Sequence, residues 1–224
     1  MPKHTSSSSL MTLFVESFSP LLSNQLSLSQ YPVHFYQTRS SLLQWLIQIS
    51  NKLFLSNETT HRAITIFDQY ICASPHLQIT NKEMKLTLVS CLSLASKFHE
   101  VNANYNVFLT QNLLHNDNLT AEDLHTKEIE VLKRINYNIN TANVYTFNSI
   151  LMSICERVIR DDKVKAKFVY VNTTLLQRYI LSKDALQLSP INSAMYVINC
   201  TLSTFNESDI DKNNIVNSIL KIRH

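Results

Sequence analysis

The sequence predicts an all-α protein made of two helical bundles. Apolar residues recur at spacings of three and four along most of the chain, which indicates helices with one buried face. No stretch shows the strict alternation of apolar and polar residues that is typical of a β-strand. The 224 residues include no glycine, so the turns between helices must use asparagine, aspartate, serine and proline.

The helical segments fall into two groups that are separated near residue 140. A lead-in at residues 1–34, with a short interrupted helix at 10–28, precedes a first bundle at residues 35–140 and a second, shorter bundle at residues 141–224. Five helices of the first bundle are predicted at residues 39–54, 59–73, 82–101, 105–115 and 120–137. Four helices of the second bundle are predicted at residues 143–159, 164–181, 190–205 and 209–222.

Local signals support three helices of the first bundle. The helix at 82–101 is apolar almost all the way round, so other helices must enclose it. Asn57 followed by Glu58 predicts the start of the second helix, because asparagine is a preferred cap and an acidic residue favours the first turn. Thr120, with Asp123 three positions later, predicts a capping box for the last helix.

Composition excludes several classes of function. Without glycine, the chain can form neither a P-loop nor a dinucleotide-binding fingerprint. The net charge of +3 is spread along the chain, so nucleic acid is not expected as a partner. No apolar run reaches the roughly 18 residues that span a bilayer, so no membrane association is expected. We expect a soluble intracellular protein.

The cysteines and histidines are not placed for metal binding. None of the eight histidines has a histidine four positions away. The cysteines are far apart and lie in apolar helical patterns, so we expect buried, reduced thiols, no metal and no cofactor. These cysteines are Cys72, Cys91, Cys155 and Cys200.

Two charged residues stand out because they lie among apolar neighbours. Lys97 follows the apolar part of the third helix, and Glu128 lies inside the apolar stripe of the last helix of the first bundle. One interpretation is an intramolecular ion pair that tolerates burial. The other is that both groups border a groove and bind the backbone of a partner, with apolar neighbours as the contact surface. Those neighbours are Leu94, Phe98, Leu132, Tyr137 and Ile139.

With these residues, the first bundle resembles a cyclin box. The five positions that characterise the box are matched in order by Arg39, Asp68, Leu86, Lys97 and Glu128. The stretch LASKFHE resembles the family's LASKFEE, LFLSNETTH resembles the connection between the first two helices, and IEVLKRINYNI resembles the end of the fifth. The match covers about residues 35–150, and residues 143–224 are compatible with a shortened second box.

The resemblance implies a regulatory subunit that binds and activates a cyclin-dependent kinase and performs no catalysis itself. It implies a buried structural ion pair between Arg39 and Asp68. It implies that Lys97 and Glu128 are the main polar contacts to the kinase. The kinase's substrates or inhibitors are further candidate partners. The apolar kinase contacts that it implies are Leu94, Phe98, Ile129, Leu132, Tyr137 and Ile139.

The sequence also departs from the family's pattern. In many cell-cycle cyclins a hydrophobic patch docks substrates that carry a basic-x-Leu motif. Leu42 and Trp45 match that patch, but Thr38 replaces the usual methionine and Lys85 the usual glutamine. A lysine there would repel a basic docking residue, which argues against this mode of recruitment. His99 replaces the first acidic residue after the LASKF stretch, and we interpret it as a solvated helix end.

Other functions remain open from the sequence alone. The cyclin fold also serves transcription factor IIB-like proteins, which bind DNA, and pocket proteins, which bind peptides, so fold does not settle function. A zinc ribbon and a strongly basic face would favour the DNA-binding class, and the sequence has neither. A cyclin-like adaptor that binds partners without activating a kinase, or a transcription-associated cyclin-fold protein, is the alternative.

Overall fold

The computed structural model describes residue 32 and residues 35–74, 80–100, 119–206 and 208–220, without the side chains of Gln37 and Leu220. Within these ranges the chain forms eight α-helices and one short 3-10 helix, and none of the described residues is in a strand. The α-helices are α1 (Tyr36–Lys52), α2 (Asn57–Cys72), α3 (Asn81–His99), α4 (Ala121–Arg134), α5 (Val144–Val158), α6 (Asp162–Leu181), α7 (Pro190–Ser203) and α8 (Lys212–Leu220). The 3-10 helix is Asp184–Leu186.

The prediction of an all-α fold is confirmed. The first residue of each described α-helix is within three positions of the predicted start. The predicted helices at 10–28 and 105–115 lie outside the described residues. The described residues form two compact units, one ending at Thr141 and the other beginning at Ala142.

Helix α3 lies at the centre of the first unit. Met84 and every residue from 86 to 96 are buried, and the helix packs on α1, α2 and α4. The prediction that other helices enclose it is therefore confirmed. Its buried hydroxyl groups bond within the helix: Ser90 Oγ donates to the Leu86 carbonyl at 2.8 Å, and Thr87 Oγ1 donates to the Glu83 carbonyl at 2.8 Å. Such bonds let small polar residues lie in an apolar core without an unsatisfied donor.

Two helices of this unit begin with reciprocal capping boxes. In α4 the Thr120 hydroxyl accepts from the Asp123 amide, and the Asp123 carboxylate accepts from the Thr120 amide, as the sequence predicts. A second box joins Thr80 to Glu83 at the start of α3. The predicted cap at Asn57 is wrong. Ser56, one residue earlier, is extended and its hydroxyl accepts from the Thr59 amide, so residue 57 already lies in the helix.

Three residues occupy the left-handed backbone region that favours glycine, which this chain lacks. Phe54, in the turn between α1 and α2, has φ 54°, while Asn136 and Tyr137, directly after α4, have φ 52° and 58°. For aromatic residues this conformation is costly, on the order of 1 kcal/mol, so surrounding contacts must hold it. The turn after α4 therefore carries this cost at Tyr137, whereas the asparagine at position 136 tolerates the left-handed region more readily.

The second unit has its own apolar core and a buried row of hydrogen-bonded polar side chains. Residues of α5, α6, α7 and α8, including Phe147, Phe168 and Ile215, form the core. Asn148 Nδ2 donates to Asn172 Oδ1 at 2.8 Å, and Asn172 Nδ2 donates to Thr201 Oγ1 at 3.1 Å. These bonds link α5, α6 and α7 side by side, because a buried amide that lost its partner would be costly.

The four cysteines are free thiols. Cys91 and Cys155 are buried, as predicted, whereas Cys72 and Cys200 are only partly buried. Burial raises the pKa of the Cys72 and Cys155 thiols to about 12 in each case. Both therefore stay protonated at neutral pH, and a protonated thiol is a poor nucleophile.

A buried histidine makes the stability of the first unit sensitive to acid. His61 on α2 is 8% exposed, and burial lowers its pKa from 6.5 to about 4. The unfolded chain therefore binds this proton more readily than the folded chain. The contribution of neutral His61 to the free energy of unfolding is complete above about pH 6.5 and is lost as pH falls towards about 4. We expect the free energy of unfolding in urea to drop by about 1.5 kcal/mol between about pH 6.5 and about pH 5. His61→Gln should remove this part of the slope, and an equal slope in both proteins would contradict the prediction.

Candidate partner-binding surface

The structure brings together the two charged residues that the sequence singles out. Lys97 lies near the end of α3, and its Nζ donates to both carboxylate oxygens of Glu128 on α4, at 2.6 and 2.8 Å. The Glu128 side chain is 5% exposed and the Lys97 side chain is 38% exposed. His125, one turn before Glu128, places Nδ1 3.7 Å from the same carboxylate and is largely exposed. The pair therefore joins a buried carboxylate to a lysine whose side chain is partly exposed.

Exposed apolar side chains follow both members of this ion pair in the sequence. Phe98 follows Lys97 and is 48% exposed, Ile129 follows Glu128 and is 38% exposed, and Tyr137 after α4 is 65% exposed. We call Lys97, Phe98, Ile129 and Tyr137 the α3–α4 surface. Large exposed apolar side chains next to a partly desolvated ion pair are typical of a protein-binding site.

The other predicted apolar contacts are less accessible. Leu132 and Ile139 are partly buried, and Leu94 is only 6% exposed. Leu94 lies one turn before Phe98 on α3 and packs inside the unit. In this structure it supports the α3–α4 surface from below rather than forming part of it.

The predicted structural ion pair has a two-bond geometry. Arg39 on α1 donates from Nε to Asp68 Oδ1 at 2.9 Å and from Nη2 to Oδ2 at 2.7 Å. The two side chains are 4% and 5% exposed. A planar guanidinium matches a carboxylate in this way, so the pair fixes the orientation of α1 on α2 as well as their contact.

The residues of the doubtful docking patch lie on α1 and at the start of α3. Leu42, Trp45 and Lys85 are partly buried, and Thr38 is exposed. Thr38 Oγ1 donates to the Phe35 carbonyl at 3.3 Å, which stabilises the first turn of α1. The argument from Lys85 against substrate docking at these residues stays a prediction.

A buried arginine that the sequence reasoning missed lies behind the α3–α4 surface. Arg62 on α2 is 3% exposed. Its Nε donates to His99 Nε2 at 3.1 Å, and its Nη1 donates to the carbonyls of Ile139 and Thr141 at 3.0 and 2.7 Å. Its position four residues before the buried Ile66 was an available signal, since it places a charge within the buried stripe of α2.

The interpretation of His99 as a solvated helix end is wrong. Its side chain is 19% exposed and accepts the hydrogen bond from Arg62. Burial lowers the pKa of His99, the neighbouring guanidinium lowers it further, and Glu58 acts in the opposite direction. The next residue, Glu100, accepts from the Ser56 amide at 3.0 Å and the Thr59 hydroxyl at 2.6 Å, which fastens the end of α3 to the start of α2.

Two further observations concern the class of site. Among the described residues, no group of three or more histidine, cysteine, aspartate or glutamate side chains is arranged to hold a metal ion. None of the described helices combines the length and the apolar character needed to cross a membrane.

Comparison with known proteins identifies the family. Residues 12–140 match the family model described as the cyclin N-terminal domain. The chain belongs to the cyclin family. The resemblance predicted from sequence is therefore confirmed, although the matched region begins at residue 12, earlier than the expected start near residue 35.

Individual relatives agree with this assignment. The chain is 33% identical over 116 residues to a G2/mitotic-specific cyclin-2 of Saccharomyces cerevisiae, covering 51% of this chain and 22% of that protein. It is 25% identical over 166 residues to cyclin-B1-3 of rice, Oryza sativa subsp. japonica, covering 73% of this chain and 33% of that protein. The matched part is therefore a third or less of the length of these two relatives.

A solved structure shows the same fold. A viral cyclin from herpesvirus saimiri superposes with a TM-score of 0.67 at 16% identity. The likeness covers 94% of this chain and 96% of the viral chain. The prediction of a cyclin fold is thereby confirmed.

Proposed function

We propose that this chain is a regulatory subunit that binds and activates a cyclin-dependent protein kinase and so controls progression through the cell cycle. The observation that carries the proposal is the Lys97–Glu128 pair, which characterises the cyclin box, lying beside exposed apolar side chains. Two of the relatives compared with it are named as mitotic or B-type cyclins. We propose the nucleus and cytoplasm as its location.

The chemistry of the α3–α4 surface suits a partner that presents both an apolar face and backbone groups. Phe98, Ile129 and Tyr137 supply apolar area that is exposed in the free chain and can be buried on binding. Lys97 retains donor capacity because an ammonium has three hydrogens, and Glu128 retains acceptor capacity because a carboxylate has about four lone-pair sites. A kinase backbone that meets this pair would satisfy the remaining donors and acceptors.

The proposed effect on the kinase is allosteric. Activation of a protein kinase requires a lysine–glutamate ion pair in which the glutamate lies on a mobile helix, together with an open activation loop. A cyclin that binds this helix holds the glutamate in place. The chemistry belongs to the kinase, and the α3–α4 surface supplies binding energy that favours the active state.

The test is to mix the purified chain with a panel of purified cyclin-dependent kinases and to measure both complex formation and phosphotransfer to a peptide substrate. We expect at least one kinase to form a stable complex and to gain activity. A complex without gain of activity would identify a passive adaptor instead. Failure to bind any kinase, with a salt-dependent affinity for duplex DNA, would favour the class of DNA-binding cyclin-fold proteins.

A further inference from the structure

Arg62 joins three parts of the first unit through a single guanidinium group. From α2 it reaches His99 at the end of α3 and the carbonyls of Ile139 and Thr141 beyond α4. Its Nη2 also lies 3.7 Å from the Glu58 carboxylate on its own helix. The hydrogen bonds to residues 139 and 141 span 77 and 79 positions of sequence. This one side chain therefore connects α2 to a segment that is distant from it in the chain.

Apart from Arg62, the segment beyond α4 is held by its own turn hydrogen bonds, such as the Tyr137 amide to the Leu132 carbonyl, and by the buried Thr141. Asn136 and Tyr137 hold left-handed backbone conformations, and the side chains of residues 136, 137, 138 and 140 are exposed. Exposed side chains contribute little burial energy to offset the cost of that backbone. Arg62 binds two carbonyls of this segment, and Gln69 adds one bond to the Thr141 hydroxyl at 2.9 Å. The charged, two-carbonyl contact is the stronger of the two restraints.

The same guanidinium also lies against Phe98, one of the two aromatic residues of the surface. Arg62 Cζ lies 5.5 Å from the centre of the Phe98 ring, within cation–π range. The Phe98 ring meets the His99 ring edge-on, with centres 5.0 Å apart. Phe98 at the end of α3 and Tyr137 beyond α4 are therefore both attached to segments that Arg62 restrains.

The bond between Arg62 and His99 defines the protonation state of the histidine. A guanidinium has donors only, so His99 Nε2 must be the acceptor and carry no proton. The charged groups facing His99 are Arg62 and Glu58 on α2, the latter 3.8 Å away, and Glu100 next in the chain. A proton on Nε2 would remove the acceptor and place a cation against a cation.

We propose that Arg62 is the positioning residue of the α3–α4 surface, holding the end of α3 and the segment after α4 in register through a bond that only neutral His99 can accept. The proposal deepens the proposed function and rests on it for its role in kinase binding. The hydrogen bonds of Arg62 to His99, Ile139 and Thr141, called the Arg62 tether below, are present in the free chain. They can be tested without a partner.

The first test measures hydrogen exchange of backbone amides in the free chain. In the structure the Tyr137 amide donates to the Leu132 carbonyl at 2.8 Å and the Ile139 amide to the Tyr137 carbonyl at 3.0 Å. Arg62→Lys keeps the charge but loses the planar fork, so exchange at residues 137 and 139 should rise by roughly tenfold. Arg39→Lys is the matched control, because it weakens another buried arginine pair, between α1 and α2, without touching this segment.

A second variant guards against a general loss of folding. Arg62→Leu removes the buried cation and leaves Glu58, which is partly exposed, free to be hydrated. It should fold, with unchanged exchange in the centre of α3 and faster exchange at residues 137 and 139. Exchange at these two amides that matches the wild type in both Arg62 variants overturns the proposal.

The second test measures affinity for the kinase that binds the wild-type chain most tightly in the panel of purified cyclin-dependent kinases. Arg62→Lys should weaken binding by roughly tenfold, whereas Arg39→Lys should lower stability and leave affinity near the wild-type value. Equal effects of the two variants on affinity would reduce Arg62 to a general structural role and overturn the proposal.

The dependence of affinity and of amide exchange on pH distinguishes a positioning role of Arg62 from a role in packing alone. Because burial lowers the pKa of His99 from its usual 6.5, wild-type affinity should hold down to about pH 6.5 and fall as the pH is lowered further, and exchange at residues 137 and 139 should rise over the same range. In His99→Gln a side-chain carbonyl accepts from Arg62 at any pH, so both profiles should flatten. Should the wild type bind no kinase, the proposed function fails, and the exchange profile still decides whether the tether exists.

Discussion

Breaking the Arg39–Asp68 pair is expected to lower the free energy of unfolding by about 3 to 5 kcal/mol, whichever partner is removed. Both side chains are nearly inaccessible to water and joined by two hydrogen bonds at 2.9 and 2.7 Å. Asp68→Asn leaves a guanidinium without its counter-charge, and Arg39→Leu leaves a carboxylate without one. In each case a buried charge loses its compensation, which costs far more than the pair contributes when intact.

The measurement is urea unfolding of both single variants and of the double variant Arg39→Leu/Asp68→Asn. The double variant removes both charges and should be clearly more stable than the sum of the single losses predicts. Lys165→Ala is the control, because it breaks an ion pair with Asp162, whose side chain is 95% exposed, and should change stability little. Additive losses in the double variant would show that the two charges do not compensate each other.

Features that depend on neighbouring residues could be predicted from the sequence. The capping box from Thr120 to Asp123 lies within four residues, so the pattern alone specifies it. The enclosure of α3 follows from the absence of a polar face, whichever helices surround it. The pairing of Lys97 with Glu128 could be inferred because each charge lies in apolar surroundings and the signs are opposite.

The role of Arg62 could not be predicted in the same way. Its charge lies in the buried stripe of α2, but its partners are two backbone carbonyls and a neutral imidazole. Every residue has a carbonyl, so no side-chain type marks a carbonyl partner in the sequence. His99 was misjudged for the same reason, since a helix end is buried or solvated according to what packs on it from a distant segment.

The Lys97–Glu128 pair should show unequal effects of its two single variants on stability. Lys97→Ala leaves the Glu128 carboxylate buried without a cation, and we expect a loss of about 2 kcal/mol in urea unfolding. Glu128→Ala frees the ammonium of a lysine whose side chain is already 38% exposed, so it can reach water and the expected loss is smaller, about 1 kcal/mol. A larger loss in Glu128→Ala than in Lys97→Ala would contradict this explanation.

The effect of the pair on kinase binding should exceed its effect on folding. With both groups removed, the double variant Lys97→Ala/Glu128→Ala leaves no uncompensated charge and should fold, yet affinity for the kinase should fall by roughly a hundredfold. His125→Ala is the matched control: it lies 3.7 Å from Glu128 but is largely exposed, so it should bind nearly as the wild type does. A folded double variant that binds and activates the kinase as well as the wild type would place the kinase contact elsewhere on the chain. The exposed Phe98, Ile129 and Tyr137 would then need a different partner.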